Sequence, residues 1–275
     1  MKIEELSLKE VQRESLKILK ALDGICTKLN LRYWLMYGSL IGAVRHGGFI
    51  PWDDDLDIAM PRDDFDRLVA YFAANSAGCR PLVLIDRSTY AAGTPFLIAR
   101  LSNTEYRQIG EYGAAVPEMG VFIDIYPFDG MGNDADKAVE LKKDCERHVK
   151  AYMDTFFFKT GNPVKDSLRL IKRKILSRRI GEPETHLMKL DDVIKGYSYR
   201  DSRYVGNCTW NYGYPRDFYC KEDLDELIQM KFEDFMVPVP AGYDRILTAC
   251  YGDYMQLPPE RERCGHHCYS IVKRS

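Results

Sequence analysis

The chain has 275 residues, 45% of them apolar and 29% charged, and its 39 Lys and Arg against 41 Asp and Glu leave a net charge of −2. This ordinary globular composition excludes a disordered, collagenous or coiled-coil architecture, and the near-neutral balance excludes a whole-chain nucleic-acid footprint, so no nucleic-acid partner is expected. No apolar run of about 18 residues is present to span a membrane, and the charged opening MKIEELSLKEVQ lacks the apolar stretch of a signal peptide, so a cytoplasmic location is expected.

Leu8, Val11, Ile18, Leu22, Ile25 and Leu29 recur at helical steps and predict one long amphipathic helix. Tyr33–Tyr37 (YWLMY) reads as a short buried strand, broken by Gly38-Ser39. A helix over Leu40–Arg45 follows and ends at His46-Gly47-Gly48. Leu56–Met60 reads as a second strand, after which Pro61 opens a helix carrying Phe65, Leu68, Val69 and Phe72. Leu82–Ile85 and Phe96–Leu101 read as strands, and so does Gly120–Tyr126 (GVFIDIY), closed by Pro127. This alternation predicts an α/β (α+β) fold in which helices pack on a mixed sheet.

Residues 134–197 read as mostly helical. Val164, Leu168, Ile171 and Ile175 mark one helix face, and the other positions hold Lys165, Arg169, Lys172, Arg173, Lys174, Arg178 and Arg179. Such a basic face is ordinarily solvated. The alternative is peripheral contact with an anionic membrane surface at the inner face. Residues 228–239 predict a hairpin and Tyr243–Tyr251 a closing helix. The expected organisation is a catalytic core over residues 1–133 and a mostly helical lobe with a hairpin over 134–275 that returns to the core. The eight cysteines are scattered and read as reduced thiols. The dense stretch Cys264-Gly-His-His-Cys268 does not have standard zinc spacing.

Chemistry concentrates in Tyr37–Met60, YGSLIGAVRHGGFIPWDDDLDIAM. In an extended chain alternate residues point the same way, so Asp55 and Asp57 are expected on one face with about 7 Å between their Cα atoms. Asp54 is expected to point away, as a surface or cap residue. Two like charges on one face call for a cation, and a hard divalent ion held by carboxylates and phosphate oxygens fits best. Asp124 lies in an apolar strand, where an acid is costly unless paired or ligating. The Gly38-Ser39 turn before a helix offers N–H donors to a phosphate. Taken singly, each piece has a structural reading: aspartates beside Pro-Trp are often turn residues or caps. A calcium loop is excluded, because Ile58 stands where such a loop needs glycine.

The ordered set, apolar-Gly-Ser, then Asp-apolar-Asp-apolar, then a later apolar-Asp-apolar strand, resembles the nucleotidyltransferase superfamily, the fold shared with polymerase beta. Within it, GSLIGAVRHGGFIPWDDDLDIAMPRDDFDRL is similar to the LicD family, which includes phosphocholine transferases and the fukutin group. GVFIDIYPFDGM and YGDYMQLPP resemble further family blocks, and the resemblance runs from about residue 20 to 268. It implies a phosphotransferase that moves phosphocholine, or a similar phospho-alcohol, from a CDP-alcohol to a hydroxyl of a cell-surface glycan such as lipopolysaccharide or teichoic acid, releasing CMP. Lipid-linked acceptors are included. By motif, Gly38 and Ser39 would hold donor phosphate. Asp55 and Asp57 would bind Mg²⁺ (or Mn²⁺), with Asp53 joining them, and Asp124 would be a ligand or the general base. Arg45 is a candidate clamp for a second phosphate or a charge at a helix C-terminus, with Arg62 and Arg100 weaker candidates.

A quaternary ammonium is recognised by aromatic faces, which singles out Trp52 and the WNYGY stretch (Trp210, Tyr212 and Tyr214); such rings more commonly belong to a core. His266 and His267 lie in the family-like tail and are candidates to reach the phosphates, with a structural role the alternative. Two other functions remain open: nucleotidyl transfer from a nucleoside triphosphate, and a non-catalytic nucleotide- or glycan-binding module. The clustered acids argue against the last.

Overall fold

The computed structural model describes residues 5–87, 97–110, 116–154, 167–168, 170–171, 183–210, 217–265 and 269–274. It divides into two compact units, Met1–Pro127 with Cys220–Ser275, and Phe128–Tyr219.

The first unit opens with α1 (Leu8–Leu29). Its start is fixed by Glu10, whose carboxylate accepts hydrogen bonds from the Ser7 N–H (2.8 Å) and Ser7 Oγ (2.6 Å), the reciprocal use of an N3 acid that helix N-termini favour. Asn30 ends it in the left-handed conformation, φ 52°. Of the expected face Val11, Ile18 and Leu22 are buried, together with Leu19 and Cys26, while Leu8, Ile25 and Leu29 are half-buried. The central sheet has the order β1 (Trp34–Leu35), β2 (Asp57–Pro61), β6 (Val121–Gly130), β4 (Ala99–Asn103), β3 (Leu82–Ile85). The β1–β2, β3–β4 and β4–β6 pairs are antiparallel. Strands β2, β4 and β6 are buried along their whole lengths; β6 accordingly reads as a mostly apolar run, whereas β4 buries Arg100, Ser102 and Asn103.

Two helices frame β2. The first, α2 (Tyr37–His46), precedes it and ends at Gly47 with φ 66°. The second, α3 (Arg62–Ala74), follows directly and buries Phe65, Leu68 and Phe72. A two-stranded sheet joins β5 (Tyr106–Gly110) to β11 (Tyr269–Lys273), antiparallel with Ile271 opposite Gln108. The expected hairpin is β9 (Leu227–Phe232) with β10 (Phe235–Pro240), and the closing helix is Tyr243–Tyr251.

Three expectations need correction. Gly38-Ser39 does not separate strand from helix: the strand stops at Leu35, and α2 begins at Tyr37, with φ 52° at its first residue. Pro127 does not close the GVFIDIY strand, which runs on to Gly130. Pro127 falls between the residues that pair with β4, ending at Ile125, and those that pair with β7 (Tyr204–Gly206), beginning at Asp129. A residue without an N–H is tolerated there because neither ladder needs it. The strand expected at Phe96–Leu101 is Ala99–Asn103.

In the second unit, α4 (Ala135–Met153) is capped by Asp134, whose side chain accepts from the N–H groups of Asp136 and Lys137. It packs on α5 (Pro183–Lys195). The fully buried Lys142 ammonium donates to the Asn207 carbonyl at 2.7 Å and lies 3.9 Å from an Asp217 oxygen. Of the basic segment expected at 164–179, Leu168, Leu170 and Ile171 are exposed, and most of the rest lies outside the described residues. Among the described residues no helix is long and apolar enough to cross a membrane.

Candidate active site

The site is built in the first unit around the loop between α2 and β2. Gln12 of α1 holds this loop by donating from Nε2 to the Asp53 carbonyl (2.8 Å) and the Ile50 carbonyl (3.3 Å), and the Asp53 N–H turns back to the Ile50 carbonyl at 2.9 Å. On the other side, Glu233 in the β9–β10 turn accepts from the Phe49 N–H at 3.0 Å and donates its own N–H to the Gly47 carbonyl at 2.8 Å. A β-carbon on Gly48 would collide with the Glu233 carboxylate. That close approach explains Gly48, while Gly47 serves the left-handed C-cap of α2.

The acids converge, but not in the expected arrangement. Strand β2 begins only at Asp57, so the two-residue alternation does not govern residues 53–55. The turning loop instead brings one carboxylate oxygen from each of Asp53, Asp54 and Asp55 within 4.8 Å of one another. Asp54 is therefore part of the acidic group rather than a residue facing away. Asp57 is buried beneath them and its Oδ1 has no hydrogen-bond partner among the described residues. Burial, then the charges of Asp55, Asp124 and Asp53, push its carboxyl well above the usual carboxylate range, against the opposing pull of Arg100. An orphaned buried carboxylate oxygen amid three further acids is a donor set suited to a hard divalent cation.

Asp124 joins this group from β6. Its N–H donates to the Leu56 carbonyl at 2.9 Å, which ties β6 to the acidic loop. Directly across the ladder from Asp124 stands Arg100 of β4, whose Nε lies 2.7 Å from Asp124 Oδ1, both side chains nearly inaccessible. The Arg100 guanidinium also lies over the Phe122 ring, 4.4 Å from its centroid. Arg100 is thus the internal partner of Asp124, not a phosphate clamp at the surface. Arg62, the other weaker candidate, lies over Phe65 and 3.7 Å from Asp66 on its own helix.

Gly38 and Ser39 sit in the first turn of α2. A β-carbon at Gly38 would lie 2.8 Å from Asp53 Oδ2, so the glycine makes room for a carboxylate. Ser39 Oγ is buried and accepts the Asp57 N–H at 2.8 Å, so it fixes the start of the acid-bearing strand. Arg45, half-buried, donates from Nη1 to the Tyr254 carbonyl (2.7 Å) and from Nε to His46 Nε2 (3.0 Å). Trp52 is also half-buried, with His46 edge-on at 6.3 Å and the Arg263 guanidinium 5.6 Å from its ring. Trp34 and Tyr37, which bracket the motif in sequence, are core: Trp34 is fully buried and Tyr37 packs edge-on against Tyr126 at 4.8 Å.

Two features come from the C-terminal tail. A β-carbon at Gly265 would be 3.0 Å from Asp54 Oδ2. Tyr269, on β11, packs with Phe122 at 5.9 Å. Burial and the charges of Asp54, Asp124 and Asp55 raise its phenol, with Arg100 opposing. No local pattern in the sequence marks Tyr269 or Arg263 as neighbours of the acids; only the β5–β11 pairing and the returning tail place them there. Trp210 lies in the second unit. Tyr212, Tyr214, His266, His267 and Cys268 lie outside the described residues. The remaining seven cysteines are free.

Residues 30–159 match a family model described as LicD/FKTN/FKRP, nucleotidyltransferase domain. Lipopolysaccharide cholinephosphotransferase LicD of Haemophilus influenzae is 29% identical over 268 residues, covering 96% of this chain and 97% of its own length. The class is that of a phosphotransferase enzyme. Ribitol 5-phosphate transferase FKRP of Homo sapiens is 49% identical over 41 residues, 15% of this chain and 8% of that protein, and an uncharacterized protein of Rickettsia prowazekii is 48% identical over 48 residues, 18% of each. Residues 30–159 thus carry a LicD-family domain, within a chain similar over nearly its whole length to that cholinephosphotransferase.

Proposed function

We propose that the chain transfers phosphocholine, or a closely similar phospho-alcohol, from a CDP-alcohol to a hydroxyl of a cell-surface glycan, releasing CMP. The observation that carries this reading is the convergence of Asp53, Asp54, Asp55 and Asp57 with Asp124 in a chain similar along its whole length to a lipopolysaccharide cholinephosphotransferase. The core is read as a nucleotidyltransferase fold, a reading supported by the description of the matching domain.

In this reading Asp53, Asp55, Asp57 and Asp124 hold Mg²⁺, with Asp54 at the rim. Bound there, the ion neutralises phosphate charge as it builds on the leaving group. The chain's own residues supply the rest. Phosphoryl transfer depends on positioning and charge more than on covalent help. Gly38 leaves space for the Asp53 carboxylate, Ser39 fixes the backbone of Asp57, and Arg100 holds Asp124. The acceptor hydroxyl oxygen forms a bond to the distal phosphorus of the donor, the bond from that phosphorus to the CMP oxygen breaks, and the hydroxyl proton passes to a carboxylate of the group. Trp52 provides the aromatic face for a choline head or a cytosine ring.

The test is product analysis by ion-exchange chromatography. Purified protein with Mg²⁺, surface glycan and a panel of CDP-choline, CDP-ethanolamine, CDP-ribitol and CDP-glycerol should yield CMP with one donor. Pyrophosphate released from a nucleoside triphosphate, with no CDP-alcohol consumed, would replace this reading with nucleotidyl transfer.

A further inference from the structure

Outside the acidic group, two guanidinium groups flank the His46–Trp52 pair, Arg45 on His46 and Arg263 over Trp52, with no counter-charge among the described residues. Arg45 and Arg263 are both half-buried, and each is held by neutral partners. Arg45 Nη1 donates to the Tyr254 and Gln256 carbonyls at 2.7 and 3.3 Å, and its Nε donates to His46 Nε2. Arg263 donates from Nε to the Pro258 carbonyl at 2.9 Å and lies against the Trp52 ring. Among the described residues neither has a carboxylate in ion-pair distance, although the chain contains 41 Asp and Glu. Arg45 Nη2 and both terminal nitrogens of Arg263 have no acceptor among them either. His46 does not help, because burial and then Arg45 push its imidazole down toward the neutral form. Burial and then the charge of Arg263 lower the Arg45 guanidinium, the sign of two cations held close. Holding like charges together in a partly desolvated corner costs free energy unless an anion joins them.

The corner also lies beside the acids. Trp52 immediately precedes Asp53, and Arg263 is two residues from Gly265, which touches Asp54. The Arg263 guanidinium lies over the Trp52 ring, 5.6 Å from its centroid, and its terminal N–H groups, without an acceptor among the described residues, form a fork of the kind that suits phosphate oxygens.

We propose that Arg45 and Arg263, walled by Trp52, form a two-guanidinium site that binds the phosphate oxygens of a substrate next to the acidic group. Resting on the phosphotransfer reading above, this adds Arg263 to the binding residues and assigns the corner to a diphosphate or to a phosphate carried by the acceptor. Arg263 is a binding residue and takes no proton in the reaction.

The experiment is calorimetric titration of the full chain with inorganic pyrophosphate in the presence of a chelator, so that binding is read without metal or turnover. Wild type should bind, and Arg263→Gln should bind about tenfold or more weakly, the loss of a charge-assisted pair of hydrogen bonds. Arg263→Lys should recover only part, since an ammonium lacks the fork. Unchanged circular dichroism in these variants would keep the comparison to binding. Equal affinity in wild type and Arg263→Gln, or no binding to wild type, would overturn the site. Steady-state kinetics then separates the sources. A raised KM for the CDP-alcohol with kcat nearly unchanged assigns the corner to the donor diphosphate, and a raised KM for a phosphorylated glycan alone assigns it to the acceptor. Failure of every CDP-alcohol to release CMP would remove the transfer reading while leaving the pyrophosphate result to stand or fall alone.

Discussion

Arg100→Met should damage the fold well beyond the loss of one surface charge. The Arg100 and Asp124 side chains are only 7% and 5% exposed, and they meet at 2.7 Å. Truncating the arginine leaves Asp124 buried without its cation and in the field of Asp57. Breaking a buried pair from one side costs about 3–5 kcal/mol, and for a unit of this size that lowers the melting temperature by about 10 °C. Methionine keeps an apolar side chain at the site while removing the guanidinium and its contact with the Phe122 ring, so the loss reports mainly on charge. The double variant Arg100→Met with Asp124→Leu replaces the pair by apolar groups and should recover most of the stability, though not activity. Thermal melts and urea titrations in chelator at neutral pH measure both. A single variant within about 1 kcal/mol of wild type, or a double variant no more stable than the single one, would refute the assignment of Arg100 as the partner that holds Asp124.

Other outcomes follow from the same geometry. Gly38→Ala puts a methyl 2.8 Å from Asp53 Oδ2; it should cost about 1–3 kcal/mol of stability and cut CMP release about tenfold or more, measured by melts and initial rates. Asp57 has its folded-state pKa raised above the unfolded value. Metal-free protein should therefore be most stable in this respect below the ordinary carboxylate range and lose stability as pH rises through the raised value. Asp57→Asn should melt higher than wild type at neutral pH, with the difference vanishing in acid; a constant offset across pH would contradict the burial argument. Adding Mg²⁺ should raise the wild-type melting temperature, by about 2.7 kcal/mol of stability at a hundredfold excess over Kd, and should barely move Asp57→Asn.

Single elements are legible in the sequence wherever one periodicity rules the whole of them. The helix at Leu8–Leu29, the hairpin at Leu227–Pro240 and the helix at Tyr243–Tyr251 lie where the apolar spacing puts them. The ordered Gly-Ser, Asp and later Asp motif also pointed to residues that the fold does bring together. What failed was local geometry at the site. Strand alternation was extended to Asp53–Asp55, but a loop pinned by Gln12 obeys its own hydrogen bonds, and Asp54 turned inward with its neighbours. The Ser39 hydroxyl accepts the Asp57 N–H, a bond across 18 residues that the Gly-Ser pair alone does not announce. Arg100 opposite Asp124 follows from the β4–β6 register, which no single strand encodes. Arg263, Gly265 and Tyr269 reach the site through a tail whose pairing partner, β5, has no strong strand signature.

In the proposed function the aspartate group performs transfer from a CDP-alcohol. Phosphorus NMR of protein, Mg²⁺, glycan and the accepted CDP-alcohol tests it most directly, comparing wild type with a variant carrying Asp55→Asn, Asp57→Asn and Asp124→Asn. Wild type should convert the donor diphosphate signals into CMP and a glycan phosphodiester in equal amounts, while the triple variant should fold and convert nothing. A triple variant that turns over at the wild-type rate would contradict the proposed function.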